Sequence, residues 1–171
     1  MKRLTCIALV VIAVTFAAGC SSGASSGHVP SSASQTSPAV RSDSAEAYRA
    51  VIDGLVDSMA YMEFQTAVTD YAGSDPSGRC AEGDFSGLAK DADRLRVLAA
   101  ELPGYSGDDP TAILAYQHCE RYAQLAVSSA DAFAAARTVG DVESAARLFG
   151  AAYDEQKELT RIVMRLRDGN R

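Results

Sequence analysis

The side chains with the widest chemical reach in this chain are its four cysteines, Cys6, Cys20, Cys80 and Cys119, and its two histidines, His28 and His118. A thiolate is a nucleophile, a metal ligand or half of a disulfide, and an imidazole is a base or a ligand. Spacing decides among these. Cys6 sits inside the apolar run Leu4 to Phe16, and Cys20 closes the small-residue run Ala17-Ala18-Gly19. Cys80 and Cys119 remain as an even pair. In an exported chain such a pair reads as a disulfide, which for a loop of this length would stabilise the fold by about 4 kcal/mol. Two free or metal-bound thiols are the rival reading, although a thiolate site usually has more ligands at closer spacing. His118 could join Met59 and Met62 in a copper(I) site, since thioethers and imidazole suit that ion. Against that stands the ordinary use of methionine as core filler. His28 lies among serines and takes no role.

The elements that must position these residues begin with the leader. Lys2 and Arg3 precede the uncharged run Leu4 to Phe16, and small residues follow. That order is a secretory signal peptide over residues 1–19. The apolar run is shorter than the roughly 20 residues a spanning helix needs. Its end, Ala17-Ala18-Gly19-Cys20 followed by Ser21-Ser22-Gly23, resembles the lipobox of bacterial lipoproteins. The family prefers Leu where Ala17 stands. The resemblance implies that the Cys20 thiol becomes a thioether to diacylglycerol and that cleavage leaves Cys20 first in the mature chain. Two acyl chains suffice for stable attachment where one holds only marginally. The expected location is the extracytoplasmic face of the cell membrane, with the lipid on Cys20 as the tether.

Residues 20–42 follow as a spacer of Ser, Gly, Pro and Ala. Such a composition cannot bury enough surface to offset its ordering entropy. A flexible coil of ~20 residues spans about 25 Å.

The chain is 47% hydrophobic and 22% charged, a globular composition with room for one domain over residues 43–171. Its formal charge is -6, and loss of Lys2 and Arg3 with the leader leaves 14 basic residues against 22 acidic ones, near -8. That balance excludes nucleic acid as a partner and gives no attraction to anionic lipid headgroups.

Four runs in the domain have helical periodicity. The first carries Tyr48, Ile52, Leu55, Met59 and Met62 as one stripe and ends near Gly73. The second carries Phe85, Leu88, Ala92, Leu95, Ala99 and Leu102, with Asp84 as N-cap and Pro103-Gly104 as the stop. The third opens with Asp109 as N-cap and Pro110 at the first helical position. Its stripe is Ala115, Cys119, Tyr122, Ala126, Ser129, Phe133 and Ala136, and Gly140 is expected to close it. Asp141 is expected to cap the fourth run, whose stripe Val142, Ala145, Phe149, Ala152, Leu159, Val163 and Leu166 is interrupted by Gln156. The expected fold is all-α, an up-down-up-down four-helix bundle with one shorter second helix. In a simple hairpin Cys80 and Cys119 miss one another by roughly 13 Å along the axis. The expected bridge therefore demands that residues 74–83 fold back along the bundle.

Catalytic signatures are missing from the sequence. It has no Gly-x-Ser-x-Gly, no phosphate-cradling glycine loop, no His-Glu-x-x-His and no Glu-x-x-His. No cofactor is expected. The reading is a non-catalytic envelope module that docks another envelope or extracellular protein, with the loop Gly104-Tyr105-Ser106-Gly107-Asp108 as a candidate contact. The alternative is a small-ligand or metal-binding bundle, its walls built from Tyr48, Tyr61, Tyr116, Tyr122 and Tyr153. A tyrosine-lined enclosed cavity would favour the ligand, and exposed apolar surface would favour the partner.

Overall fold

A computed structural model describes residues 45–169. The expected signal peptide over 1–19, the expected lipidation site Cys20 and the Ser-rich spacer over 20–42 lie outside the described residues. Six helices run in order: α1 (Arg49–Val56), α2 (Met59–Gly73), α3 (Pro76–Glu82), α4 (Phe85–Ala100), α5 (Pro110–Ala135) and α6 (Val139–Gly169). The all-α class holds, but the four-helix bundle is corrected to six helices. No helix among the described residues is long and apolar enough to cross a membrane.

The first correction lies at Ser58. The expected single helix from residue 43 to Gly73 is two. α1 is wound as a π-helix, and its last bond runs from Asp57 N–H back to Ile52 O at 2.8 Å. Ser58 then leaves the helix with ψ of 141°. Its hydroxyl donates to Leu55 O at 2.6 Å and accepts from Tyr61 N–H at 3.2 Å. One side chain thus closes α1 and caps α2. The wider winding and the break rotate α2 relative to an unbroken helix. Ile52 and Leu55 are buried as expected, but Met59 and Met62 are exposed, and Tyr61, Phe64, Val68 and Tyr71 take the inward positions.

The second correction is α3, formed where a folded-back loop was expected. Asp75 takes a left-handed backbone (φ 50°), its carboxylate accepts from Gly78 N–H, and Pro76 occupies the first helical position. Gly83, at φ 80°, ends the turn in a conformation that side chains resist. Arg79 fixes α3 to its neighbours, bonding Asp84 at 2.9 Å, Asp91 at 2.6 Å and Ser74 Oγ at 3.0 Å.

The expected disulfide is also corrected: Cys80 and Cys119 are free. Cys80 Sγ donates to Phe133 O at 3.3 Å. Cys119 lies about four turns earlier on that same helix, roughly 21 Å along its axis. Bridged Cα atoms lie within about 7 Å. The axial mismatch foreseen for a simple hairpin is present, and the chain leaves it unbridged.

α4 and α5 follow the sequence closely. Asp84 accepts from Gly87 N–H and caps α4. Asp109 accepts from Thr111 and Ala112 N–H, both at 2.8 Å, and caps α5. All seven residues of the expected α5 stripe are buried. The α5–α6 turn differs from expectation. α5 ends at Ala135, before Gly140, and α6 begins at Val139. Asp141 is the inner half of a capping pair. Its carboxylate accepts from Thr138 N–H at 2.8 Å, while its own N–H donates to Thr138 Oγ1 at 3.2 Å.

The core has two parts. One joins Phe64, Val68 and Tyr71 of α2 with Leu88 and Leu95 of α4, Tyr122 and Phe133 of α5, and Ala145 and Ala152 of α6. The other joins Val51, Ile52 and Leu55 of α1 with Tyr61, with Ala112, Ala115 and Cys119 of α5, and with Leu159, Ile162 and Val163 of α6. Alanines at the α5–α6 seam allow close approach, and buried Ser129 there donates to Ala145 O at 2.9 Å.

Candidate functional site

Between the two parts of the core runs a layer of hydrogen-bonded side chains. The Gln65 amide stands at its centre. Its Nε2 donates to Tyr61 Oη at 2.6 Å, and its Oε1 accepts from Tyr122 Oη at 3.1 Å and from Gln156 Nε2 at 3.0 Å. Both lone pairs of Oε1 are used. Gln156 interrupts the α6 stripe because it belongs to this layer. Desolvation holds the Tyr61 phenol up at about 12, against the opposing pull of the Gln65 bond, and burial pushes Tyr122 far up as well. These phenols stay neutral and serve as structural hydrogen-bonding groups.

His118, on the α6-facing side of α5, lies with Nδ1 2.6 Å from Glu155 Oε2. Met62 faces a different place, a hollow of about 640 Å³ between α2 and α4 shared with Glu63, Thr66, Asp93, Arg94, Val97 and Leu98. His118 and Met62 thus serve separate surroundings. Among the described residues no group of three His, Cys, Asp or Glu side chains converges on a point where a metal ion could sit. Burial, with the Glu120 carboxylate adding to it, pushes the Cys119 thiol up to about 12, so it is not a ready nucleophile. Burial pushes Cys80 up too, opposed by Arg79.

The expected tyrosine walls are scattered. Tyr61 and Tyr122 are consumed by the polar layer, and Tyr153 is half exposed beneath Lys157 Nζ. Tyr116 is the exception, through its contact with Tyr105 of the loop before α5. Their rings stack with centroids 5.3 Å apart and an interplanar angle of 24°. Tyr116 Oη donates to Ala50 O at 3.0 Å, and Asp109 N–H donates weakly to Tyr105 Oη at 3.4 Å. A Cβ at Gly107 would lie 2.4 Å from Tyr105 Oη, so glycine is what lets the loop close over the ring. The loop from Gly104 to Asp108 is therefore packed against the domain through its aromatic residue.

That stacked pair closes one end of a groove of about 890 Å³ between α4 and α5. Arg96, Ala99 and Ala100 line the α4 side. Ile113, Gln117, Glu120, Gln124, Val127 and Ser128 line the α5 side, with Ala123 and Cys119 beneath. At about 100° per residue, Ile113, Glu120, Gln124 and Val127 lie roughly 140–180° around α5 from Tyr122. The groove is thus on the face of α5 opposite the one covered by α2. From Ile113 to Ser128 it runs about 22 Å. The sequence flagged Tyr105 and Tyr116 singly but not the groove, since which helix face stays uncovered depends on where α2 lies.

Compared with known families, with curated proteins and with solved structures, the chain matches none.

Proposed function

We propose that this chain is a lipid-anchored protein of the extracytoplasmic membrane face, and that its helical domain is a non-catalytic docking module for another envelope or extracellular protein. The anchor rests on the leader, on the lipobox-like Ala17-Ala18-Gly19-Cys20 and on the Ser-rich spacer that follows. The docking role rests on one observation, the α4–α5 groove with its stacked Tyr105–Tyr116 end. Aromatic residues beside small apolar ones, in a trough about four helical turns long, are the surface a partner's side chains can fill.

The polar groups of the interior support the same reading. The Gln65 layer and the His118–Glu155 contact are directed between helices, where they join elements, while the groove carries the exposed Ile113 and half-buried Val127. The experiment is site-specific photo-crosslinking in intact cells, with the crosslinker at Gln117 in the groove and, as a control, at Tyr153 on α6. One discrete product from Gln117 and none from Tyr153 is the expected result. Equal yields from both positions, or none from either, would count against docking at this groove.

A further inference from the structure

We infer, building on the docking reading above, that the occupant of the α4–α5 groove is a basic amphipathic helix of the partner protein. Three features select it. The first is backbone chemistry. An extended segment laid along Ala99, Ala100, Ala123 and Val127 would bring unpaired N–H and C=O groups onto apolar side chains, whereas a helix satisfies its own. The second is shape. Ala99 and Ala100 on one wall and Ala123 beneath leave room for a helix axis to approach closely, and the groove's ~22 Å takes about four turns. Tyr105 and Tyr116 form a flat apolar end against which the last large side chain of such a helix packs.

The third feature is charge. Arg96 is the cation on the lining, and it is already bonded to Asp93 at 2.5 Å and Asp131 at 2.6 Å. Glu120 accepts only from Gln124 Nε2, at 3.1 Å, and makes no ion pair among the described residues. Counting Asp93 and Asp131, which flank the groove beside Arg96 without lining it, the rim carries surplus negative charge, in a chain whose net charge is already negative. Lys or Arg flanking the apolar stripe of the incoming helix would meet it. The same surplus disfavours a second copy, which would bring two rims of like charge together. The spacer over residues 20–42 is poor in large apolar residues and has no stripe to offer.

The test uses the native protein in nanodiscs of neutral phosphatidylcholine, so that cationic peptides are not drawn to the lipid; if the native protein is water-soluble, it is used in buffer. Two labelled peptides of about four turns share a leucine stripe and differ in flanks, all Lys or all Glu. Fluorescence anisotropy is expected to show binding of the Lys-flanked peptide alone. Glu120→Lys, at an exposed position, is expected to weaken that peptide about fivefold, the scale of one surface ion pair, and to admit the Glu-flanked one. Equal binding of the two peptides, indifference to Glu120→Lys, or sedimentation as a dimer that blocks the peptide would overturn the inference. A Gln117 crosslink to a partner segment that is not basic and helical would overturn it while leaving docking intact. Lack of any Gln117 crosslink would remove the docking reading itself.

Discussion

Gln65 shows how one amide can decide the fate of several neighbours. It is acceptor to Tyr122 and Gln156 and donor to Tyr61. Gln65→Leu would leave a buried phenol and a half-buried amide without their acceptor, at a cost of about 2–3 kcal/mol. The double variant Gln65→Leu with Gln156→Leu removes two polar partners together and should recover part of that loss. Urea denaturation of the single and double variants reads both values, and purely additive losses would contradict a shared network. Tyr71 presents the reverse case. Its buried hydroxyl has no hydrogen-bonding partner among the described residues. Tyr71→Phe should therefore keep or raise stability, by up to about 1 kcal/mol, and a clear fall in the urea midpoint would contradict this.

The buried acids of the core set a pH limit. Burial raises Tyr61 and Cys119 to about 12 from ordinary values of 10.0 and 9.0, and pushes Tyr71 and Tyr122 up as well. Above pH 9 the unfolded chain sheds protons that the folded chain keeps. Stability is then full below about pH 9 and falls as pH climbs toward 12. The same burial predicts that Cys119 resists iodoacetamide at neutral pH until the domain is unfolded, with no disulfide to reduce beforehand. Mass spectrometry of alkylated native and denatured protein checks it, and rapid native labelling of Cys119 would refute it.

At the scale of elements, Ser58 is the hinge of the molecule's first half. Ser58→Ala removes the acceptor for Tyr61 N–H and the donor to Leu55 O together. The expected loss is about 1–2 kcal/mol, read by thermal or urea denaturation; a neutral result would show that α1 and α2 stop and start without it. Legibility in the sequence follows the local physics. α5 was readable from its start through its buried stripe, though not at its end, because an Asp-Pro start and regular helical spacing both mark it. The same Asp-Pro signal stands at Asp75 and Pro76, yet α3 went unread, because none of its seven residues is fully buried and it has no stripe. α1 was misread because π-winding shifts the period that the eye follows, which carried Met59 and Met62 to the surface. Gly140 misled because Thr138 and Asp141 form their cap across it.

For the whole molecule, the interior and the surface divide the chemistry. Residues that look reactive in the sequence, namely Cys80, Cys119, His118 and most tyrosines, are spent on packing and internal hydrogen bonds. What remains outward among the described residues includes the open groove between α4 and α5 and the hollow between α2 and α4. The fold class could be read from periodicity. The groove could not, since its existence depends on α2 covering one face of α5 and leaving the other bare. The proposed location rests on the chain ahead of the domain, where Cys20 is proposed to carry the lipid.

The most direct test of that central claim is the intact mass of the native protein, combined with its partition between detergent and aqueous phases. The expected result is a chain that begins at Cys20, carries a diacylglyceryl thioether on that residue and enters the detergent phase. A chain that remains in the aqueous phase with an unmodified Cys20, or one cleaved beyond it, would contradict the account.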